Sequence, residues 1–124
     1  MILGVGTDLV EIARIRRAWA RHGERFAGRV LGEMERQRLP EGDPSAWLAK
    51  RFATKEAVAK ALGTGFRDGL RLADIQTRHD GNGRPEVVLG GEAARRLASM
   101  GGRSVSLSVS DERAYALAFV VISA

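Results

Sequence analysis

Residues 104–110 alternate strictly between serine and an aliphatic residue, and this constrains the fold more than any other feature of the chain. Side chains of a β-strand point alternately to its two faces, so the pattern predicts a strand with Val105, Leu107 and Val109 on a buried face. After a turn, the stretch YALAFVVI at 115–122 predicts a second, mostly buried strand. The two strands should pair as a hairpin.

The second of these strands has little polar surface, so both of its faces need cover. Helices of the same chain could cover both faces, or another copy of the chain could cover one of them. A face left bare would form an exposed apolar patch, which usually marks an interaction surface. The pattern alone leaves these alternatives open.

The rest of the chain predicts short strands mixed with helices. A second hairpin is predicted around the turn sequence GNG at 81–83. That hairpin would join strands at 74–79 and 85–89, and a further strand is predicted at 2–8. One helix is predicted to begin at Glu11, and four more are predicted at 26–31, 33–39, 45–62 and 91–100. Hairpin-connected strands mixed with helices favour the α+β class, with a small, mainly antiparallel sheet packed against a long helix and shorter helices. The length of 124 residues is that of one domain, which we expect to be 1–124.

Composition excludes several classes of protein. No apolar run approaches the ~20 residues that a membrane-spanning helix needs, so we expect no membrane association. The chain has no cysteine, which excludes disulfides, thiolate metal sites and cysteine nucleophiles and fits the reducing cytoplasm. The N-terminal stretch MILGVGTDLVEI contains an acidic residue and no basic leader, so it does not predict a signal peptide. We therefore expect a cytoplasmic protein.

The chain is basic, with 20 Lys and Arg against 15 Asp and Glu and a formal charge of +5. Such a surface attracts phosphate, nucleic acid, anionic lipid or an acidic protein. Modules that bind single-stranded nucleic acid usually combine basic with aromatic residues, whereas only 6% of this chain is aromatic. A non-catalytic basic module that binds an acidic protein or nucleic acid is the alternative to an enzyme.

The longest predicted helix carries charged residues against its apolar side. Lys55 falls within the apolar stripe and Glu56 lies at its edge, with Lys60 one turn further on. One interpretation is an ion pair between Glu56 and Lys60, worth about 0.3–0.5 kcal/mol, with Lys55 extending past the core edge. The other is that Glu56 binds a hard cation while the lysines contact phosphate oxygens. Gly63 and Gly65 follow, and they either end the helix or give a phosphate group access to the backbone.

Asp8 ends a predicted strand face that also carries Gly4 and Gly6. An aspartate after a strand often caps the next helix. The two glycines, however, leave the backbone open to close approach by another group. A carboxylate beside such backbone suits Mg²⁺, which binds one or two carboxylates together with water and substrate phosphates. Asp8 and Glu56 would supply those two carboxylates.

A run of arginines follows the first strand. If the helix continues past Gly23, the arginines form one basic stripe, which is poorly neutralised because only Glu11 and Glu24 lie nearby. The stripe is either a solvated face or a surface for phosphates or an acidic protein helix. Its members are Arg14, Arg17, Arg21 and Arg25, with Phe26 beside them and Arg29 one turn beyond.

Three segments together resemble the holo-(acyl-carrier-protein) synthase family, the small phosphopantetheinyl transferases of bacterial fatty-acid synthesis. They are GVGTDLVEIARI at 4–15, RFATKEAVAKALGTG at 51–65 and SDERAYALAFVVI at 110–122, in the family's order and spacing. The resemblance implies the 4′-phosphopantetheinyl transferase fold and transfer of phosphopantetheine from coenzyme A to a serine of apo acyl carrier protein. Adenosine 3′,5′-bisphosphate would leave, Mg²⁺ would be the cofactor, and nucleic acid would not be a partner.

The resemblance also implies roles for individual residues. Asp8 and Glu56 would bind Mg²⁺, and Lys60 would contact the transferring phosphate or assist removal of the serine proton. The proton acceptor stays open between a metal-activated water, Glu56 and a lysine. Residues implied to bind coenzyme A are Arg51, Lys55, Gly63, Gly65, Ser106 and Ser108. Residues implied to meet the carrier protein or the nucleotide end of coenzyme A are Arg14, Arg21, Arg25, Phe26 and Arg29.

The sequence departs from the family's pattern at one position. Members usually carry a histidine in the penultimate strand, five residues before the position of Asp111, where this chain has Ser106. A serine can donate a hydrogen bond to phosphate but cannot be a cation. Either this histidine is dispensable, or Ser106, Ser108 and nearby basic residues share its task. The family also assembles as a homotrimer with active sites between subunits, which agrees with the last strand's need for cover.

Overall fold

A central 17-residue helix organises the fold in the computed structural model, which describes residues 1–124. The predicted α+β class is confirmed. The strands are β1 (Ile2–Glu11), β2 (Ile75–His79), β3 (Pro85–Leu89), β4 (Ser104–Asp111) and β5 (Tyr115–Ser123). The helices are α1 (Ile12–His22), α2 (Glu24–Val30), α3 (Glu33–Arg36), α4 (Ser45–Ala61) and α5 (Gly91–Ser99), and a 3₁₀ turn covers Leu72–Asp74. None of these helices is both long and apolar enough to cross a lipid bilayer.

Both sheets are antiparallel, and both predicted hairpins are present. The larger sheet has three strands in the order β1-β5-β4, and the smaller one is the β2–β3 hairpin. Along one row of the larger sheet, Asp8 pairs with Ala118 and Ala118 with Val109. Because paired residues in adjacent strands point to the same face, Asp8 lies on the face that contains the buried Ala118. We call this the inner face.

The helix α4 covers the inner face and touches β1 backbone to backbone. A Cβ atom added to Gly4 would lie 2.1 Å from the carbonyl oxygen of Ala61, and one added to Gly6 would lie 2.0 Å from that of Ala57. The sequence predicts that another group approaches these glycines closely, and that group is α4. Small residues on both partners thus let the helix reach the strand, which places α4 directly above Asp8.

We expect Gly6→Ala to destabilise the protein by about 3 kcal/mol or more, because the new methyl group would force α4 away from β1. Gly81→Ala is the matched control, since a Cβ there meets no atom within 4 Å. Chemical denaturation with a circular dichroism readout checks both variants. Equal stability of the two variants would show that α4 can move off the strand at little cost.

The opposite face of the larger sheet is bare within one chain. Its residues form rows across the three strands, and in three of them an apolar residue of β5 lies between a residue of β1 and a serine of β4: Val5–Val121–Ser106, Thr7–Phe119–Ser108 and Leu9–Leu117–Ser110. The large apolar side chains on this outer face are Val5, Leu9, Tyr115, Leu117 and Phe119, each 42–62% exposed. The chain's own helices therefore cover only one face of β5.

Candidate active site

Asp8, Glu56 and Lys60, which the sequence predicts to act together, meet where α4 crosses β1. The ammonium Nζ of Lys60 donates hydrogen bonds to Asp8 Oδ1 at 3.2 Å and to the carbonyl oxygen of Thr7 at 2.8 Å. Lys60 thus pairs with Asp8 on the strand, and the alternative of a Glu56–Lys60 ion pair along the helix does not form within 4 Å. Lys60 reaches Asp8 because α4 lies so close to the strand.

Burial is the largest effect that raises the pKa of the half-buried Glu56 carboxyl group above its ordinary value, and the negative charge of Asp8 adds to it. The cations Lys60 and Arg14 oppose this rise in pKa. The two carboxylates are therefore close enough to repel each other.

This pair fits a hard divalent cation such as Mg²⁺. A cation bound between the two carboxylates would offset both their mutual repulsion and the cost of burying the charge of Glu56. No third acidic, histidine or cysteine side chain completes a metal-binding cluster in the chain. That donor set suits Mg²⁺, which keeps several positions for water and substrate phosphate oxygens.

Two grooves border this site, one lined by Glu56 and the other by Lys60. One, of about 530 Å³, has Glu56 and Arg29 in a largely apolar wall that includes Phe52, Phe66 and Leu70. The other, of about 680 Å³, is polar and is lined by Lys60 and the segment 63–68. The site therefore offers one surface for an apolar chain and one for a charged group.

Gly63 and Gly65, predicted to border a phosphate site, lie in the wall of the polar groove. Their φ angles are +88° and +62°, values that residues other than glycine rarely adopt. A Cβ at either position would meet no atom within 4 Å. The glycines are therefore explained by the backbone conformation of the segment after α4 rather than by lack of space.

The arginines do not form the continuous stripe that the sequence allowed. Gly23 adopts a φ of +49° and separates α1 from α2, so the condition of one unbroken helix fails. Arg14 lies near enough to Glu56 to lower its pKa, and Arg29 lines the apolar groove. The exposed Arg21 and Arg25 lie further out, on α1 and α2 respectively.

Comparison with known proteins identifies the family. The family model described as the 4′-phosphopantetheinyl transferase superfamily matches residues 4–120. The chain belongs to this superfamily. A holo-(acyl-carrier-protein) synthase of Halorhodospira halophila is 50% identical over 98% of both chains. The crystal structure of the synthase from Neisseria meningitidis has a TM-score of 0.92 and 46% identity over 100% of each chain. The Helicobacter pylori synthase, solved in complex with coenzyme A, has a TM-score of 0.84 and 32% identity, covering 96% of this chain and 99% of that one.

In this superfamily member, Lys55 does not lie in the groove where its predicted role would place it. Its side chain is 1% exposed. Its ammonium donates to Glu35 Oε1 at 2.6 Å, to the carbonyl oxygen of Leu72 at 3.0 Å and to that of Ile75. An ammonium has three donors, and protein groups take all of them. Lys55 therefore joins α4 to α3 and β2, and its buried position does not fit the coenzyme A contact that the resemblance implies.

Arg51 is also buried, but one side of it borders a cavity. Its Nε lies 3.4 Å from Glu35 Oε2 without a hydrogen bond, and its guanidinium stacks 4.6 Å from the ring centre of Trp47. The cavity, of about 720 Å³, is also lined by Arg38 and Arg78. Arg51 precedes Glu56 by five residues, so the two side chains leave α4 in different directions. Arg51 thus does not join the carboxylates of its own chain.

Ser106 and Ser108 are separated from Asp8 by the sheet itself. Ser106 pairs with Val121 and Ser108 with Phe119, and both serines are exposed on the outer face. Asp8 lies on the inner face, so neither serine can reach the carboxylates of the same chain.

The sequence patterns do not single out two residues that hold elements around the site in place, Glu35 and Arg96. Glu35 is buried and accepts hydrogen bonds from Lys55 and from the backbone N–H groups of Gly32 and Thr77. Arg96 holds the segment beside Lys60. The only local signal for Glu35 is its place in the first turn of α3, a position where a glutamate often bonds the helix N-terminus. The spacing of Arg96 from Glu92 indicates only a pair along one helix, whereas the residues of the segment that Arg96 binds lie about thirty positions away along the chain.

Proposed function

We propose that the protein transfers the 4′-phosphopantetheine group of coenzyme A to a serine of apo acyl carrier protein. The products are holo acyl carrier protein and adenosine 3′,5′-bisphosphate, and the reaction depends on Mg²⁺ bound by Asp8 and Glu56. Membership of the superfamily supports the type of reaction. The observation that carries the proposal is the meeting of a strand-borne and a helix-borne carboxylate beside Lys60, at the junction of an apolar and a polar groove.

In the proposed reaction the serine oxygen attacks the phosphorus next to pantetheine. A new P–O bond forms to the serine, and the P–O bond to the adenosine-side phosphate breaks. The serine loses its proton, and the leaving bisphosphate keeps the bridging oxygen. Bound Mg²⁺ would neutralise charge on the diphosphate oxygens and hold them in place for in-line displacement.

The chain's own residues would do the remaining work. Lys60 places its cation at the edge of the polar groove, where it can contact the transferring phosphate. The apolar wall formed by Phe52, Phe66 and Leu70 suits the pantetheine arm, and Arg29 also lines this groove. Basic residues on α1 and α2, among them Arg14, Arg21 and Arg25, with Phe26 beside them, would steer an acidic carrier protein toward the site.

We further propose that the protein acts as a homotrimer in which active sites lie between subunits. The bare outer face of the sheet supports this, because an exposed apolar patch of this kind usually marks an interface. The arrangement would also account for three residues that the resemblance implies for coenzyme A binding and that lie apart from the carboxylates in one chain, namely Arg51, Ser106 and Ser108. In a trimer these residues could complete a neighbouring chain's site. We place the reaction in a single domain, 1–124, and in the cytoplasm.

We expect Leu117→Asp to dissociate the trimer, because it puts a charge into the apolar outer face where Leu117 is 45% exposed. Transfer activity should fall at least about tenfold, since catalytic sites between subunits would be lost. Ala98→Asp, on the exposed side of α5, is the control and should keep both the assembly and the activity. Size-exclusion chromatography with light scattering gives the assembly. A wild-type protein that is monomeric and fully active would contradict the proposal.

The function itself is tested by mass spectrometry of the carrier protein. The protein is incubated with apo acyl carrier protein, coenzyme A and Mg²⁺, and a known synthase is run in parallel. The carrier protein should gain the mass of one phosphopantetheine, and a chelator should abolish the gain. If the known synthase modifies the carrier protein and this protein does not, the proposed function is wrong.

A further inference from the structure

The segment 63–69, between α4 and the 3₁₀ turn, has an irregular backbone that needs outside support. Four of its residues have positive φ angles: Gly63, Gly65, Asp68 and Gly69. Asp68, at +54°, is the only residue other than glycine in the chain with such an angle. Few backbone hydrogen bonds join the segment to itself. Its shape must therefore come largely from contacts with another element.

Arg96 on α5 supplies that support. Its guanidinium donates hydrogen bonds to Thr64 Oγ1, to the carbonyl oxygen of Gly65 at 3.3 Å and to that of Arg67. The carboxylate of Glu92 lies 3.5 Å from Arg96 Nε and orients the guanidinium from one turn earlier on α5. Only 12% of the Arg96 side chain is exposed. One side chain thus ties three successive points of the segment to a helix.

We propose that Arg96 is a positioning residue, which holds the segment 63–68 in the shape that receives the diphosphate of coenzyme A. This inference rests on the proposed function. The segment and Lys60 line the same polar groove, so the shape of the segment fixes that of the groove. Arg96 never needs to touch coenzyme A, because it acts through Thr64 and the two carbonyl groups.

The electrostatics of the segment support the same role. The segment follows the C-terminus of α4, where the helix dipole and free carbonyl oxygens repel a phosphate group. Arg96 engages two carbonyl oxygens of the segment and adds a positive charge beside them. Its charge therefore counters the negative end of the helix dipole in the region where the segment begins.

The effect should fall on coenzyme A binding rather than on the chemical step. Asp8, Glu56 and Lys60 lie on β1 and α4, and Arg96 holds none of them. Arg96→Met should therefore raise KM for coenzyme A by about tenfold and change kcat by less than about twofold, the pattern for loss of binding that is equally strong in the ground state and the transition state. Arg96→Lys keeps the positive charge but lacks the planar guanidinium with its several N–H donors, so it should raise KM for coenzyme A less than Arg96→Met does.

Arg95→Met is the matched control. Arg95 pairs with the same Glu92, yet it is 71% exposed and makes no contact with the segment. Steady-state kinetics with coenzyme A as the varied substrate should separate the two methionine variants. Amide hydrogen exchange should show faster exchange at residues 64–68 in Arg96→Met alone.

Each outcome decides the inference. A KM within about twofold of that of Arg95→Met, or a fall in kcat with KM unchanged, would overturn the positioning role while the proposed function stands. If the wild-type protein itself transfers nothing, the proposed function fails and the role of Arg96 falls with it. A rise in KM for coenzyme A together with faster amide exchange at residues 64–68 supports the positioning role of Arg96.

Discussion

Glu56→Gln should lower kcat for phosphopantetheine transfer by roughly a thousandfold, the size of effect seen when a group that stabilises phosphoryl charge is removed. The amide keeps the shape of the side chain but removes the negative charge that would hold Mg²⁺. Asp8→Asn should have a similar effect, because the proposed site contains only these two carboxylates. Rates are measured by mass spectrometry of the carrier protein over a series of Mg²⁺ concentrations.

The fold should survive both changes, so the loss of activity can be assigned to chemistry. Glu56 is half-buried and forms no ion pair within 4 Å, and removing its charge also relieves repulsion from Asp8. Glu24→Gln, on the exposed surface of α2, is the control and should retain full activity. If Glu56→Gln kept more than about a tenth of the wild-type kcat at saturating Mg²⁺, the carboxylate pair would not be the metal site.

Glu35→Gln should destabilise the protein by about 3–5 kcal/mol, the usual cost of leaving a buried charge without its partner. Glu35 and Lys55 are each 1% exposed, and Glu35 lies 2.6 Å from Lys55 Nζ and 3.4 Å from Arg51 Nε. Burial lowers the pKa of both cations, and the Glu35 carboxylate raises it. The variant would thus bury two cations without an anion.

A double-mutant cycle tests whether this loss comes from the charge network. Lys55→Met in the Glu35→Gln background should cost less than the same change in the wild type, because the orphaned ammonium is removed. Free energies of unfolding come from urea titrations. If Glu35→Gln is within about 1 kcal/mol of the wild type, the buried network contributes little, since breaking such a pair normally costs several times more.

Much of the fold follows from periodicity within short segments. The serine alternation at 104–110 predicted both the strand and its buried face, and β4 shows that pattern. The first strand was predicted to end at Asp8, yet β1 continues to Glu11, where it still pairs with Tyr115 on β5. That extension depends on the partner strand, so the local pattern, which turns helical near Glu11, could not indicate it.

The candidate site likewise combines features that local sequence patterns predict with contacts between residues far apart in the chain. The pairing of Asp8 with Lys60 joins residues 52 positions apart, yet the two glycines on the Asp8 face of β1 give a physical reason to expect another group beside that face. The helical pattern places Lys55 in the apolar stripe, but its contacts are set by Glu35, 20 positions away and on another element. Ser106 and Ser108 fall on the outer face through the register of β4 with β5, which no single segment encodes.

The measurement that tests the central claim most directly is a crystal structure with coenzyme A and Mn²⁺, collected at a wavelength where manganese scatters anomalously. Mn²⁺ takes the same kind of oxygen ligands as Mg²⁺. We predict a single anomalous peak per active site, bonded to carboxylate oxygens of Asp8 and Glu56 and to an oxygen of the diphosphate. Bound coenzyme A whose diphosphate lies away from these carboxylates, or a manganese ion held by other residues, would contradict the account.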